Sequence, residues 1–149
     1  MTSTMWLKVL WSFIGTFGFS LVLGLRPKRA LLASIGGGIA GMLYIAGELY
    51  TDQEFLRCFC GAVFASLFAE ACARIAKAPA TVFLAPAIIP ILPGGYLYYA
   101  MYGIVTGSRS EFFEYAALTI HAALGTSMGI IIVSTTVYHL GRKLFTHPH

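Results

Sequence analysis

The sequence predicts an all-α, polytopic membrane protein with five transmembrane helices, the fourth of which is discontinuous at a Pro-Gly-Gly break. The first observation behind this class is composition: 58% of the residues are hydrophobic and 11% are charged, with a mean hydropathy of +0.77. A soluble domain of 149 residues has too small an interior to bury this much apolar surface. The second observation is that five apolar stretches are separated by short charged connections, which predicts the number of spans.

The predicted spans occupy nearly the whole chain, so residues 1–149 are predicted to form a single membrane domain. Their approximate bounds are 5–25, 30–47, 55–76, 81–105 and 115–140. The first stretch has full transmembrane length and is followed by others like it, which favours a permanent span over a cleavable signal peptide. Small residues four apart in the second, third and fifth spans predict close helix packing, either within the chain or against a partner.

Charges in the connections predict the orientation of the chain. Seven of the ten Lys and Arg residues fall on one side of the membrane. They are Arg26, Lys28, Arg29, Arg74, Lys77, Arg142 and Lys143. The positive-inside rule assigns this side to the cytoplasm, so the amino terminus is predicted outside and the carboxyl terminus inside. The net charge of +4 then reflects topology and lipid headgroups, and no nucleic-acid partner is predicted.

Helix breakers concentrate in the fourth predicted span, where the chain reads TVFLAPAIIPILPGGYLYY. Pro86, Pro90 and Pro93 are followed directly by Gly94 and Gly95. Each interior proline removes a backbone hydrogen bond to the carbonyl four residues earlier, and a bilayer offers no water to replace that bond. The three carbonyls predicted to be free are those of Val82, Pro86 and Ile89.

The break predicts two half-helices, the first ending near Leu92 and the second beginning near Gly95 or Tyr96. Free amides at the start of the second half-helix carry partial positive charge and suit a carboxylate. Discontinuous helices that meet inside the membrane hold solutes in many secondary transporters. The alternative is a proline-kinked structural helix whose freed groups are satisfied by neighbouring helices.

Two groups of residues are candidates for function. The substrate-binding candidates surround the break and are Pro90, Pro93, Gly94, Gly95, Tyr98 and Tyr99. The candidates for ion coupling are Glu70 and Arg74, which are four residues apart and can pair on one helix face, and His121 in the fifth span. The alternatives are an interfacial location for Glu70 and a hydrogen-bonded structural role for His121.

No enzyme, cofactor or metal site is predicted. The spans contain no Ser-His pair, paired aspartates or cluster of histidines that intramembrane catalysis would need. Cys58 and Cys60 are separated by one residue, which is not the spacing of common zinc or redox motifs. Together with Cys72 they are interpreted as buried thiols.

The stretch AEACARIAKAPATVFLAPAIIPILPGGYLYYAMYGIV resembles the threonine/serine exporter family. The similarity is to the carboxy-terminal membrane half of that family, which also occurs as a separate small subunit. The residues that carry it are Glu70, Arg74, Lys77, Ala78, Pro79, Phe83, Pro90, Pro93, Gly94, Tyr98 and Tyr99.

The resemblance implies a transporter in a bacterial plasma membrane that works with a partner. It implies a companion five-span subunit with a soluble cytoplasmic region, and an ion- or proton-coupled export of threonine and serine or of a dicarboxylate such as succinate. If the companion begins in the cytoplasm and crosses five times, this chain must begin outside, which agrees with the loop charges. The competing hypothesis is a membrane assembly subunit that transports nothing. The sequence leaves self-association into a homo-oligomer open.

Overall fold

The structure, a computed structural model, describes the backbone of residues 3–145 and the side chains of residues 6–139. Within that part the regular secondary structure is all helical, without strands. Its elements are α1 (Ser3–Val22), α2 (Pro27–Gly47), α3 (Glu54–Ala76), α4 (Thr81–Ile88), a 3-10 turn (Ile89–Ile91), α5 (Gly94–Thr106) and α6 (Arg109–Phe145). Arg142 and Lys143, which contribute to the predicted orientation, lie outside the described side chains.

The all-α membrane class is confirmed, with three to four candidate spans among the described residues instead of the five predicted. Helices α2, α3 and α6 are long and apolar enough to cross a membrane, and α4 and α5 together form a fourth, bent span. Helix α1 has 20 residues and ends at Val22, before the end predicted for the first span at residue 25. Among the described side chains its apolar part is Trp6–Val22.

The fourth span is broken as predicted. Its axis bends by 53° between Thr81–Ile91 and Gly94–Thr106. Leu92 has extended dihedral angles (φ −63°, ψ 135°), and Pro93 after it has no amide hydrogen to continue the helix. The second half-helix begins at Gly94, within a residue or two of the predicted start.

The carbonyl prediction is wrong at two of its three positions. The Ile89 amide donates a hydrogen bond to the Pro86 carbonyl, and the Leu92 amide donates to the Ile89 carbonyl at 3.2 Å. The cause is the 3-10 turn, in which each amide bonds three residues back instead of four and so replaces donors that the prolines removed.

Small residues bring the helices together within the chain. A methyl group added at Gly37 of α2 would lie 2.5 Å from Thr16 Oγ1 of α1, and one at Gly129 of α6 would lie 2.9 Å from the Phe59 carbonyl of α3. Such approaches are possible only without a side chain, and they increase the contact between helices in lipid. At these positions the predicted small-residue packing is used inside the chain.

Helices α5 and α6 form a hairpin that extends past the start of α3. Gly125 packs against Phe55 at the start of α3, and Gly129 packs against Phe59, so α3 and α6 run parallel from this level. The first 13 residues of α6, from Arg109 to His121, therefore lie beyond the start of α3, over about 20 Å at ~1.5 Å per residue. In this stretch Phe112 lies against Gly103 of α5 and Tyr115 against Tyr99, and no residue of α6 is buried before Ala122.

Candidate functional site

A cleft of about 370 Å³ opens at the break in the fourth span. One wall is the broken backbone itself, from Pro90 to Pro93 and at Gly95. The other walls are tyrosine side chains from three helices, namely Tyr44 of α2, Tyr96 and Tyr99 of α5, and Tyr115 of α6. The ring of Tyr115 lies 5.2 Å from that of Tyr99 and 6.5 Å from that of Tyr96, measured between centroids. The cleft therefore combines main-chain polar groups with aromatic walls and phenolic hydroxyls.

Four of the six residues predicted to bind substrate line this cleft. They are Pro90, Pro93, Gly95 and Tyr99. The other two lie beside it: Gly94 is the first residue of α5, and Tyr98 stacks on Tyr102 at 6.5 Å on the exposed face of the same helix.

The two glycines of the break face open space. A methyl group added at Gly94 or Gly95 would meet no other atom within 4 Å, and neither residue has a positive φ. The fold therefore does not require glycine at either position. The Gly94 amide bonds to the Leu92 carbonyl at 2.8 Å, whereas no hydrogen bond from the Gly95 or Tyr96 amides is found in the described part of the chain. The start of α5 thus presents uncovered polar backbone.

A buried carboxylate lies directly behind the tyrosines. Glu54 opens α3 and is only 4% exposed. It accepts a hydrogen bond from the Tyr44 hydroxyl and another from the Tyr96 hydroxyl at 3.2 Å. Arg57, one turn further along α3, pairs with it at 3.2 Å. Glu54 therefore connects α2 and α3 to the first turn of the half-helix that follows the break.

Arg57 extends this contact into a chain of charges. Its guanidinium also pairs with Glu48 at 3.1 Å and lies 4.8 Å from the centre of the Tyr44 ring. Lys8 of α1 completes the chain, 3.9 Å from Glu48. The Nε of Arg57 is buried without a hydrogen-bond acceptor. A buried charge pair of this kind is strongly destabilising when only one partner is removed.

A second cavity, of about 480 Å³, shares Tyr44 and Pro90 with the cleft. It is formed by α1, α2 and the 3-10 turn, and it reaches Lys8 and Glu48. Tyr44 and Pro90 therefore border both the cavity and the cleft at the break.

The predicted coupling residues are not part of this cluster. Glu70 is half-buried on α3, and Arg74 is exposed in the last turn of that helix, far from Glu54 at its start. The two side chains form no ion pair of 4 Å or less among the described residues, so the pairing expected from their spacing is absent. His121 is exposed on α6. Their role in coupling stays a prediction.

The residues of the site that sequence reasoning missed are Glu54, Arg57 and three tyrosines, Tyr44, Tyr96 and Tyr115. The sequence places Glu54 and Arg57 in the connection between spans two and three, where they look like solvated loop charges. The available signal is their spacing of three residues at the very start of an apolar run, which puts both on one face of a helix. No group of three His, Cys, Asp or Glu side chains that suits a metal ion occurs in the described part of the chain.

Comparison with known protein families identifies the family of this chain. The sequence model of one family, described as "Threonine/Serine exporter, ThrE", matches residues 8–136. The match includes the break, the buried carboxylate and all four tyrosines of the cleft. No curated protein and no solved structure matches the chain. Because the family match covers most of its length, the chain belongs to the threonine/serine exporter family.

Proposed function

We propose that this chain is the small subunit of a two-component secondary transporter that exports small carboxylate-bearing metabolites. The substrates are threonine and serine or a dicarboxylate such as succinate, and export is coupled to an ion or a proton. Membership of the exporter family supports transport. The observation that carries the proposal is the break in the fourth span, where uncovered backbone faces a cleft between helices.

The substrate carboxylate binds at the start of α5. The amides of Gly95 and Tyr96 form no hydrogen bond in the described chain, and the amino end of a helix carries partial positive charge. Gly95 leaves room for a ligand to approach these amides closely. Hydroxyls of the surrounding tyrosines supply further donors and acceptors, and discontinuous helices bind carboxylates in this way in other transporters.

Alternating access uses Tyr44 and Pro90, which border both the cleft and the second cavity. Movement of these two side chains apart would join the two spaces. The hydrogen bond from Tyr96 to Glu54 connects α5 to the fixed part of the bundle. Breaking and re-forming this bond lets α5 swing about the break while α2 and α3 stay in place.

A companion subunit covers the α5–α6 hairpin. Helix α6 has 37 residues and measures about 55 Å, whereas the hydrocarbon core of a bilayer is about 30 Å thick. If the charged residues at the end of α2 and the start of α3 lie at the membrane surface, the apolar α5–α6 hairpin extends into water. If the hairpin lies in lipid, those charges lie inside the membrane. Both placements need another protein against this end of the chain.

Orientation follows from the same proposal. The amino terminus lies outside and the carboxyl terminus in the cytoplasm of a bacterial plasma membrane, so the cluster around Glu54 belongs to the outward half of the protein. A companion with five spans then has the opposite orientation, as in transporters built from inverted halves.

The proposal is tested by efflux of labelled threonine and labelled succinate from cells that contain both chains. The variant Gly95→Leu places a larger side chain at the cleft, at a position where an added Cβ meets no other atom within 4 Å. Loss of even one charge-assisted hydrogen bond costs about 1.5 kcal/mol, which corresponds to about a tenfold loss of affinity. The matched control is Gly18→Leu, since Gly18 also faces open space but lies in α1 away from the cleft.

We expect Gly95→Leu to reduce efflux of the substrate at least about tenfold, with normal co-purification of the companion, while Gly18→Leu retains full efflux. An assembly subunit that transports nothing predicts a different result. In that case every variant that still binds the companion exports at the unmodified rate, and the proposed site is wrong.

A further inference from the structure

A third cavity, of about 440 Å³, lies at the end of the bundle where α1 turns into α2. It is lined by the turn from Leu23 to Arg26, by Arg29 in the first turn of α2, and by Val82 of α4. None of these residues lines the cleft at the break or the cavity beside it. The cavity is therefore independent of the proposed transport site.

The two arginines of this cavity have most of their hydrogen-bonding capacity unused. Arg26 is exposed and forms no side-chain hydrogen bond or ion pair in the described chain. Arg29 is half-buried and forms a single long hydrogen bond, from its guanidinium to the Ala76 carbonyl at 3.5 Å. Each guanidinium has five N–H donors, so the cavity offers a set of charged donors without an acceptor.

Positive charge at this end is also uncompensated. Lys28 follows Arg26 on α2, and Arg74 and Lys77 lie at the end of α3. The ion pairs found among the described side chains involve only Lys8 or Arg57 as cations, at the opposite end of the bundle. The cations around the cavity therefore attract an anion from outside the chain.

The surroundings of the cavity indicate the kind of anion. Val22 and Leu23 beside it are 81% and 47% exposed, and Ile75 on the neighbouring helix is 82% exposed. A ligand that satisfies both the arginines and these apolar side chains carries a phosphate and a hydrocarbon chain. Guanidinium groups match phosphate oxygens in bidentate geometry, and basic pockets between transmembrane helices bind lipid headgroups.

We propose that Arg26 and Arg29 form a binding site for the phosphate headgroup of an anionic phospholipid, whose acyl chain lies against Val22 and Leu23. This site is separate from substrate transport and holds one lipid at the junction of α1, α2 and α4. Phosphatidylglycerol fits because its net charge is negative, whereas phosphatidylcholine carries a cation that the arginines repel.

Binding is measured by native mass spectrometry of the full chain in detergent. The probes are phosphatidylglycerol, phosphatidylcholine and free glycerol phosphate. The double variant Arg26→Gln with Arg29→Gln removes the site. The control double variant, Lys28→Gln with Arg74→Gln, removes the same amount of charge from this end of the bundle but leaves the cavity intact. Arg26→Gln alone serves as a variant with intact folding, because this side chain is exposed and forms no hydrogen bond or ion pair among the described residues.

We expect one phosphatidylglycerol per unmodified chain, bound at least about tenfold more tightly than phosphatidylcholine. Since one cation near the lipid surface contributes roughly a factor of five, Arg26→Gln weakens binding about fivefold and the double cavity variant about 30-fold. Equal losses in the cavity and control double variants would show diffuse surface attraction and overturn the site. Equal binding of phosphatidylcholine, or displacement by free glycerol phosphate at similar concentration, would also overturn it.

Discussion

Replacing the buried Glu54 by glutamine tests the structural centre of the site. Glu54→Gln keeps the shape of the side chain but removes the charge that pairs with Arg57. The two side chains are 3% and 11% exposed, so water screens their interaction only weakly. Removing one partner of such a pair costs about 3–5 kcal/mol. We expect a loss near the lower end, about 3 kcal/mol, because Glu48 still pairs with Arg57 at 3.1 Å.

The assay is reversible unfolding of the purified chain in mixed micelles, with the free energy of unfolding as the measured quantity. Glu70→Gln is the matched control, since it makes the same change on the same helix at a half-buried residue without an ion pair. It should change the free energy of unfolding by less than about 0.5 kcal/mol.

A double-mutant cycle separates the pair from its surroundings. Glu54→Gln and Arg57→Met are measured singly and together. Residues in direct contact within one charge network show interaction energies of about 0.5–3 kcal/mol, and the short distance and deep burial here favour the upper part of that range. Additive single effects, or a Glu54→Gln variant as stable as Glu70→Gln, would refute the buried pair.

Three further outcomes follow from contacts of single side chains. Tyr96→Phe removes one hydrogen bond to the buried carboxylate of Glu54 and should lower the free energy of unfolding by about 1.5 kcal/mol. Tyr98→Phe, on the exposed face of the same helix, should leave it nearly unchanged. Equal effects of the two variants would contradict the contact between Tyr96 and Glu54. Gly129→Ala places a methyl group 2.9 Å from backbone and should destabilise by about 1–3 kcal/mol. Gly18→Ala meets open space and should stabilise α1 by up to about 1 kcal/mol. In thermal melting Gly18→Ala should therefore have the higher Tm of these two glycine variants. A higher Tm for Gly129→Ala would show that the helix contacts are wrong.

The break could be predicted because its cause is local. Pro93 cannot donate a backbone hydrogen bond wherever it stands, and two glycines directly after it do not favour continuing the same helix. The predicted ends of the half-helices are accurate for this reason. The carbonyls of Pro86 and Ile89 were predicted wrongly because a short 3-10 turn is a local adjustment that proline positions alone do not reveal.

The charged part of the site could not be predicted because it depends on residues distant in sequence. Glu54 is buried because Tyr44 from α2 and Tyr96 from α5 both reach it, and neither contact leaves a periodic pattern in the chain. A carboxylate beside a polar turn looks solvated when it is read alone. Glu70 and Arg74 attract attention because their spacing is regular, yet the structure leaves them unpaired with each other.

Labelling of a single cysteine tests most directly whether solute enters the break. In a chain whose three native cysteines are replaced, Gly95→Cys is treated with a water-soluble maleimide in membranes that contain the companion subunit. Gly18→Cys, which also faces open space, is the comparison. The account predicts that position 95 reacts, that threonine or succinate slows this reaction, and that position 18 stays unreactive. Failure of position 95 to react, or reaction at a rate that neither solute changes, would contradict a substrate site at the broken fourth span.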